Sequence, residues 1–312
     1  MLAATAVAFV IAEGAKLQKS PLERTFVSKV FSPDATITRI VTDGKVTRYG
    51  HKVATIRFQL RSAQTLEVWI EDSHGDQVAS LLPSRHFRKG QVVSVVWDGT
   101  EPNGLAAPDG VYHPVVKLPH RTFGLPNPIR LDTKAPVITV PDRPHVVISP
   151  DGDGHNDSFS VSYKVDEPAH AILRVRPAAA QHAEQVEYTY FQRLTGTLTW
   201  NGKFDGKAAK PGNYVLYASA QDTAGNRSKG KPFAVVQVRY LVLARTRVTV
   251  KPGGIFYLRA STDAPKVRWS LHGRSGVEPR GTLHFHAPKS PGVYHLYVQA
   301  AGHAAQCTVV VA

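Results

Sequence analysis

Four oxygen-bearing side chains, Asp151, Asp153, Asn156 and Asp157, crowd into seven residues of the run Ser149-Pro150-Asp151-Gly152-Asp153-Gly154-His155-Asn156-Asp157. Hard oxygen donors at this spacing suit Ca²⁺, and Gly152 and Gly154 permit the tight backbone path that such a loop needs. The run is not an EF-hand: counted from Asp151, the twelfth position is Ser162, where the closing Glu would stand. The same residue types also build Asx turns, whose carboxylates are capped by nearby amides and neutralised by Lys or Arg. Both readings stay open on sequence. Calcium is the one cofactor the chain points to.

Other reactive side chains carry weaker patterns. Cys307, the single cysteine, lies in Gln306-Cys307-Thr308-Val309-Val310-Val311 and reads as a small apolar residue of a last buried strand. It has no partner for an intrachain disulfide, so each domain must fold on packing alone. Among 14 histidines, His284 and His286 alternate in Leu283-His284-Phe285-His286 and share one strand face. Two imidazoles need a further ligand and a second shell to hold zinc, and a solvent-facing polar strand accounts for them more simply. The chain has no Gly-x-Ser-x-Gly elbow, His-Glu-x-x-His, phosphate loop or dinucleotide fingerprint. No catalytic residue is assigned, and the chain reads as a non-enzyme.

The aromatic residues divide in two. Trp97, Trp200 and Tyr112 stand beside glycine turns, which favours core and corner roles over a sugar-stacking platform. Trp69 alternates out of phase with Leu66, Val68 and Ile70, among Glu67 and Glu71. It is expected to face outward as a partner contact.

Strands must position all of these residues, because period-two alternation recurs after residue 25 while helical periodicity is nearly absent. Ala54, Ile56, Phe58 and Leu60 share one face, and Ser73-His74-Gly75-Asp76 turns the chain between Leu66–Glu71 and Gln77–Leu82. With 24 Gly and 22 Pro as punctuation, the expectation is an all-β array of sandwiches. An order of signals then repeats. Phe31-Ser32-Pro33-Asp34 precedes Trp97-Asp98-Gly99, Asn103-Gly104 and Pro108-Asp109-Gly110-Val111-Tyr112. Ile148-Ser149-Pro150-Asp151 precedes Trp200-Asn201-Gly202, Asp205-Gly206 and Pro211-Gly212-Asn213-Tyr214. The proline-dense stretch from Leu125 to Pro136 reads as a short extended connector, and Asp222-Thr223-Ala224-Gly225-Asn226 as a turn between the last two strands of the second unit. From about Tyr240 a third unit carries Pro252-Gly253-Gly254, Val267 to Leu271 and Pro291-Gly292-Val293-Tyr294. Lacking the Trp-Asp-Gly hairpin, it is expected to be a related sandwich rather than a third copy.

The pattern Trp97-Asp98-Gly99, Gly104, Gly110-Val111-Tyr112 resembles the immunoglobulin-like domain of the flagellar hook-capping type (FlgD-like), and Trp200, Gly202, Gly212 and Tyr214 repeat it. The run Ser149 to Asp157 is similar to the acidic signature that often opens such domains. Residues 25 to 235 carry the resemblance well, and the third unit only generically. The first unit departs from it, with Ala35-Thr36-Ile37 where the second has its acidic turn. The arrangement as a whole resembles actinobacterial envelope proteins with an N-terminal membrane segment, and implies no enzyme activity. The expected organisation is three tandem immunoglobulin-like sandwiches after a short hydrophobic N-terminal segment: residues 1–25 a signal or anchor remnant and linker, then domains over 26–135, 136–239 and 240–312.

Charge and the N-terminus bound the compartment. Lys and Arg total 38 against 24 acids, a formal net charge of +14. These cations are scattered over strands and turns with no basic arm or recognition helix, which argues against nucleic acid and for a solvated basic surface. Leu2 to Ile11 is an uncharged apolar run, too short for the ~20 residues of a spanning helix. It fits the end of a signal peptide or, ranked first, a truncated anchor, and would attach the chain to a membrane if a longer anchor precedes it. The expected role is a secreted or membrane-anchored, extracytoplasmic spacer or interaction scaffold. Its expected partners are envelope proteins or anionic wall polymer. The alternative is a carbohydrate- or cell-wall-polymer-binding accessory module.

Overall fold

The computed structural model describes residues 20–42, 45–152, 154–204, 206–300 and 302–312, so the apolar run Leu2 to Ile11 lies outside the described residues. Among those described the chain is all β, and no helix is long and apolar enough to cross a membrane. Three hydrophobic cores follow one another along the chain. They fall into two compact units, one reaching to Ala135 and including Asp222–Arg227, the other holding Pro136–Gln221 and Ser228–Ala312.

The first unit contains β1 (Leu22–Val27), β2 (Val30–Phe31), β3 (Thr38–Thr42), β4 (Lys45–Tyr49), β5 (Ala54–Leu60), β6 (Gln64–Glu71), β7 (Gln77–Phe87), β8 (Val92–Trp97), β9 (Gly110–Leu118), β10 (Arg121–Gly124) and β11 (Ile129–Leu131). One sheet runs β1-β5-β8 and the facing sheet β2-β11-β9-β6-β7, with β3 and β4 a separate hairpin. Alternation builds the core. Ala54, Ile56, Phe58 and Leu60 of β5 and Leu66, Val68 and Ile70 of β6 are all buried, as a two-residue period requires of two packed sheets. The residues between them point outward.

The six-residue turn that joins the last two strands of the second sandwich belongs to this unit, and its bonds show why. Thr36 N donates to Gly225 O (2.8 Å) and His51 N to Ala224 O (3.1 Å). Asn226 Nδ2 donates to the Asp132 carbonyl (2.7 Å) and to the Asp222 carboxylate (2.8 Å). Gly50 and Gly225 meet backbone to backbone, so closely that a Cβ at 225 would lie 2.7 Å from the Gly50 Cα. Burial pushes the Asp222 carboxyl up, against the pull of its hydrogen bonds.

The second unit opens with β12 (Ile138–Thr139), β13 (Arg143–Ile148), β14 (Phe159–Pro177), β15 (Glu184–Tyr188), β16 (Arg193–Trp200), β17 (Lys203–Phe204), β18 (Lys207–Ala208), β19 (Gly212–Gln221) and β20 (Lys231–Val238). Here the 19-residue β14 serves both sheets. Its first half pairs with β12 and β16, its second with β15 and β19. Pro168 sits where the register slips between Lys164 and Ala169, a bulge being one of the few strand-interior places that accept proline.

The unit continues with β21 (Val242–Leu243), β22 (Arg247–Val250), β23 (Ile255–Ser261), β24 (Lys266–Leu271), β25 (Arg274–Pro279), β26 (Gly281–His286), β27 (Gly292–Ala300) and β28 (His303–Val311). Its sheets are β21-β23-β26 and β22-β28-β27-β24-β25. That is the strand order of the first sandwich. In all three sandwiches a short early strand lies parallel to the last one: β2 on β11, β13 on β20, β22 on β28. The third domain, expected as a looser relative, therefore repeats the topology while changing the residues that fill it.

Candidate functional site

The acidic turn joins β13 to β14. Ser149 N donates to Asn156 O (2.8 Å), closing the loop, and Gly152, Gly154 and Asn156 all take positive φ. The two glycines do so without strain. Gly152 N (2.7 Å) and Gly154 N (2.8 Å) both donate to the Asp157 carboxylate. These amides hold the Asp157 carboxyl below the usual carboxylate range, with help from the Asp151 amide and the Lys203 charge. Asp151 accepts from Ser149 Oγ (3.1 Å), and Asp153 lies outside the described residues. Among the described residues, no three acidic or imidazole ligand atoms gather at this turn. Its negative charge is met first by its own backbone.

The two repeated motifs turn out to touch. Trp97 and Trp200 are buried and satisfy their indole N–H three residues on, at Thr100 O (3.0 Å) and Lys203 O (3.2 Å). The glycine after each Trp sits under the proline of the Ser-Pro-Asp signature. A Cβ on Gly99 would lie 3.0 Å from Pro33 Cγ, and one on Gly202 would lie 2.5 Å from Pro150 Cβ. Tyr112 and Tyr214 pack on the tryptophans at 4.7 and 5.1 Å between ring centroids. Their hydroxyls donate to the carbonyls of Pro108 (2.6 Å) and Lys210 (2.8 Å), each four residues back. Tyr294 does the same to Ser290 (3.0 Å). These aromatics build corners, and the rings of Trp97, Trp200, Tyr112 and Tyr214 are buried.

The remaining sequence candidates fall as follows. Trp69 is half-buried on the outer face of β6 and donates its indole N–H to Glu71 Oε1 (2.7 Å). Cys307 is fully buried and burial pushes its thiol up, which marks a packing residue. His284 and His286 are exposed on one face of β26, with the Tyr257 ring 4.8 Å from His284 edge to face. The described residues bring no third ligand to them.

What the sequence reading passed over is where the charge lies. Residues 240–312 hold nine Lys and Arg against two acids, Asp263 and Glu278, which is half the net charge of the chain on its last 73 residues. All nine cations are exposed, and among the described residues of this domain there is no ion pair. The signal was present in composition, but only domain by domain.

No protein-family model and no curated protein matches this chain. Solved structures that resemble it include tandem β-sandwich fragments. A three-immunoglobulin-domain fragment of titin is 9% identical and covers 94% of this chain and 99% of its own, with a TM-score of 0.32. The FN1–FN3 domains of chicken CNTN1 are 8% identical over 86% of this chain and 96% of theirs, at 0.21. Fibronectin(III)-like modules of Clostridium thermocellum CbhA are 14% identical over 56% of this chain and 94% of theirs, at 0.20. The assignment of tandem immunoglobulin-like sandwiches rests on the chain's own strand pairing.

Proposed function

We propose that this chain is a non-catalytic, extracytoplasmic scaffold of FlgD-like immunoglobulin domains that presents a binding surface at the cell envelope. The observation that carries this reading is a contrast within the molecule. Trp97, Trp200, Tyr112, Tyr214 and Cys307 are committed to cores and corners, whereas the third domain exposes nine cations with no ion pair among the described residues. An unneutralised basic surface fits an anionic partner, and outside a bacterial membrane the abundant polyanion is wall polymer. Attachment runs through the N-terminal apolar segment. Trp69, an amphipathic ring on an outer sheet face, is a secondary contact for an envelope protein.

Calcium at Asp151, Asp153, Asn156 and Asp157 belongs to the same proposal. Asp157 is kept ionised by its amide donors, and carboxylate oxygens have lone pairs beyond those the amides use. The alternative role, a wall-polymer-binding accessory module rather than a spacer, is favoured by the concentration of charge on one domain. Fractionation of cells carrying the tagged full chain tests the reading. Recovery with membrane or wall is expected, and retention on purified wall separates a binder from a pure spacer. Cytosolic recovery overturns the proposal.

A further inference from the structure

In the third domain the sheet β22-β28-β27-β24-β25 buries one face and exposes the other. Val267, Leu271, Leu296 and Val298 point into the core, so their neighbours point out. Strand register arranges those neighbours in rows. Arg268 stands between Val277 of β25 and Gln299 of β27, and Ser270 stands between Ser275 and Tyr297. One row of this patch reads Val277, Arg268, Gln299 and the next Ser275, Ser270, Tyr297, so two serines stand side by side between the longer row and the tyrosine. The short serines beside Arg268, Gln299 and Tyr297 leave a hollow of about 410 Å³, lined by these six residues together with Trp269 and Gly276. That volume lies within the ~300–1,000 Å³ of small-ligand sites.

The lining sets polar and apolar groups side by side. Tyr297 is 46% and Val277 57% exposed, so apolar surface is left open beside polar groups. Among the described residues, the side chains of Arg268, Ser270, Ser275 and Gln299 make no hydrogen bond or ion pair, and all four lie at the same hollow. The next row along the sheet adds His295 of β27 and Arg247 of β22, both paired with Thr308 of β28. Arg247 and Arg268 are three strands and four residues of register apart, roughly 20 Å at ~4.8 Å per strand and ~3.3 Å per residue. A second cation at that distance suits a repeating polymer better than a single ion.

The geometry assigns this face as a binding site for an anionic glycan, a sugar chain bearing carboxylates. Each part of the ligand has a counterpart. A pyranose ring lays its C–H face on Tyr297, as aromatic rings accept weakly polarised apolar faces. Ring hydroxyls meet Ser270, Ser275 and Gln299, which supply donors and acceptors. A uronate carboxylate meets the planar fork of Arg268. The excess of basic residues in the domain draws the polyanion in from solution. The inference rests on the proposed reading of the partner as anionic envelope polymer, and names the site that takes it.

The test measures binding of the full chain to immobilised polygalacturonate, with dextran as the neutral glycan and polyphosphate as the sugar-free polyanion. Arg268→Ala and Tyr297→Ala are each expected to weaken polygalacturonate binding about tenfold, and Ser270→Trp, which fills the hollow, at least as much. All three lie on an exposed face and are expected to keep the wild-type thermal midpoint. Arg259→Ala removes the same charge from the other sheet of the domain and is expected to leave binding unchanged. Dextran is expected not to bind, and polyphosphate to bind without sensitivity to Tyr297→Ala. Equal losses for Arg259→Ala and Arg268→Ala, or no loss with Tyr297→Ala, overturn the site in favour of undirected charge. Variants that bind purified wall like wild type overturn the site while leaving the envelope reading standing. Cytosolic recovery does the reverse.

Discussion

The first and third sandwiches close the same strand order with different residues. In the first, Trp97 of β8 is buried against Phe31 at 5.4 Å and Tyr112 at 4.7 Å, and its indole N–H is satisfied. In the third, the matching strand β26 offers Phe285, and the tryptophan comes instead from β24. Trp269 meets Phe285 edge-on at 5.2 Å, but its Nε1 is buried without a hydrogen-bond partner. Gly276 opposite makes room for the ring: a Cβ there would lie 2.9 Å from the indole. The tyrosine corner survives in both. The topology thus depends on alternating strands and closed corners, while the large aromatic can move to another strand if the core is still filled. Moving it leaves the indole N–H without a partner, whereas the indoles of Trp97 and Trp200 are both satisfied.

The largest expected effect sets these cores apart. Trp97→Ala and Trp200→Ala are each expected to cost about 3–5 kcal/mol of their domain's stability, the large-to-small penalty of a buried aromatic. Trp269→Ala is expected to cost less, about 1–3 kcal/mol, because the ring is half-buried and its removal also deletes an unpaired polar group. Denaturant unfolding followed domain by domain measures all three. Equal losses would show that the relocated ring does the same work as the others.

The proline-on-glycine corner comes next. Gly202→Ala forces a Cβ onto Pro150 and places alanine at φ +67°. The left-handed backbone alone costs about 1–2 kcal/mol and overpacking adds about 1–3. Gly99→Ala meets Pro33 at 3.0 Å and is expected to cost less than Gly202→Ala. In the third domain Gly253 has the same φ of +67°, and a Cβ there would meet only Lys289 Cγ at an unstrained 3.9 Å, so Gly253→Ala should carry the backbone penalty alone. A Gly253→Ala loss as large as that of Gly202→Ala would mean that the proline contact contributes nothing.

Acid separates the second domain from the third more gently. His170 is buried, stacked on Tyr188, and its ring Nδ1 donates to Thr189 O (2.7 Å). Burial holds its imidazole below the ordinary 6.5. The unfolded chain therefore takes up the proton first, so stability is full above about pH 6.5 and falls as pH drops below it, until the folded-state value is passed. The slope cannot exceed about 1.4 kcal/mol per pH unit for one group. His170→Asn, which keeps a donor for Thr189, is expected to flatten the midpoint of the second domain between pH 7 and 5. A slope that survives the substitution would assign it to another group.

The smallest effect concerns the acidic turn, which the first and third domains lack. With the Asp157 carboxylate already held by amides, bound calcium replaces little lost hydrogen bonding. At a calcium concentration near its dissociation constant, binding adds about 0.4 kcal/mol. Thermal unfolding in millimolar calcium and in chelator, beside Asp153→Ala, is expected to show a small rise in midpoint that the variant loses. An unmoved midpoint reduces the turn to its amide cap.

Sequence alone determined which residues of a strand face inward, because a period of two is a local property: Ala54, Ile56, Phe58 and Leu60 are buried together, and Trp69 lies on the other face. It also marked the Trp, Tyr and glycine positions of the corners, since turns with positive φ write themselves in residue type. Only the tertiary structure brought Pro33 onto Gly99 and Pro150 onto Gly202, fused two strands into β14, and gave the third domain the strand order of the first. The hollow beside Tyr297 belongs to this second group. Its residues come from β24, β25 and β27, and they meet because cross-strand register, set by the packing of the whole sheet, places Ser270 between Ser275 and Tyr297 and Arg268 between Val277 and Gln299.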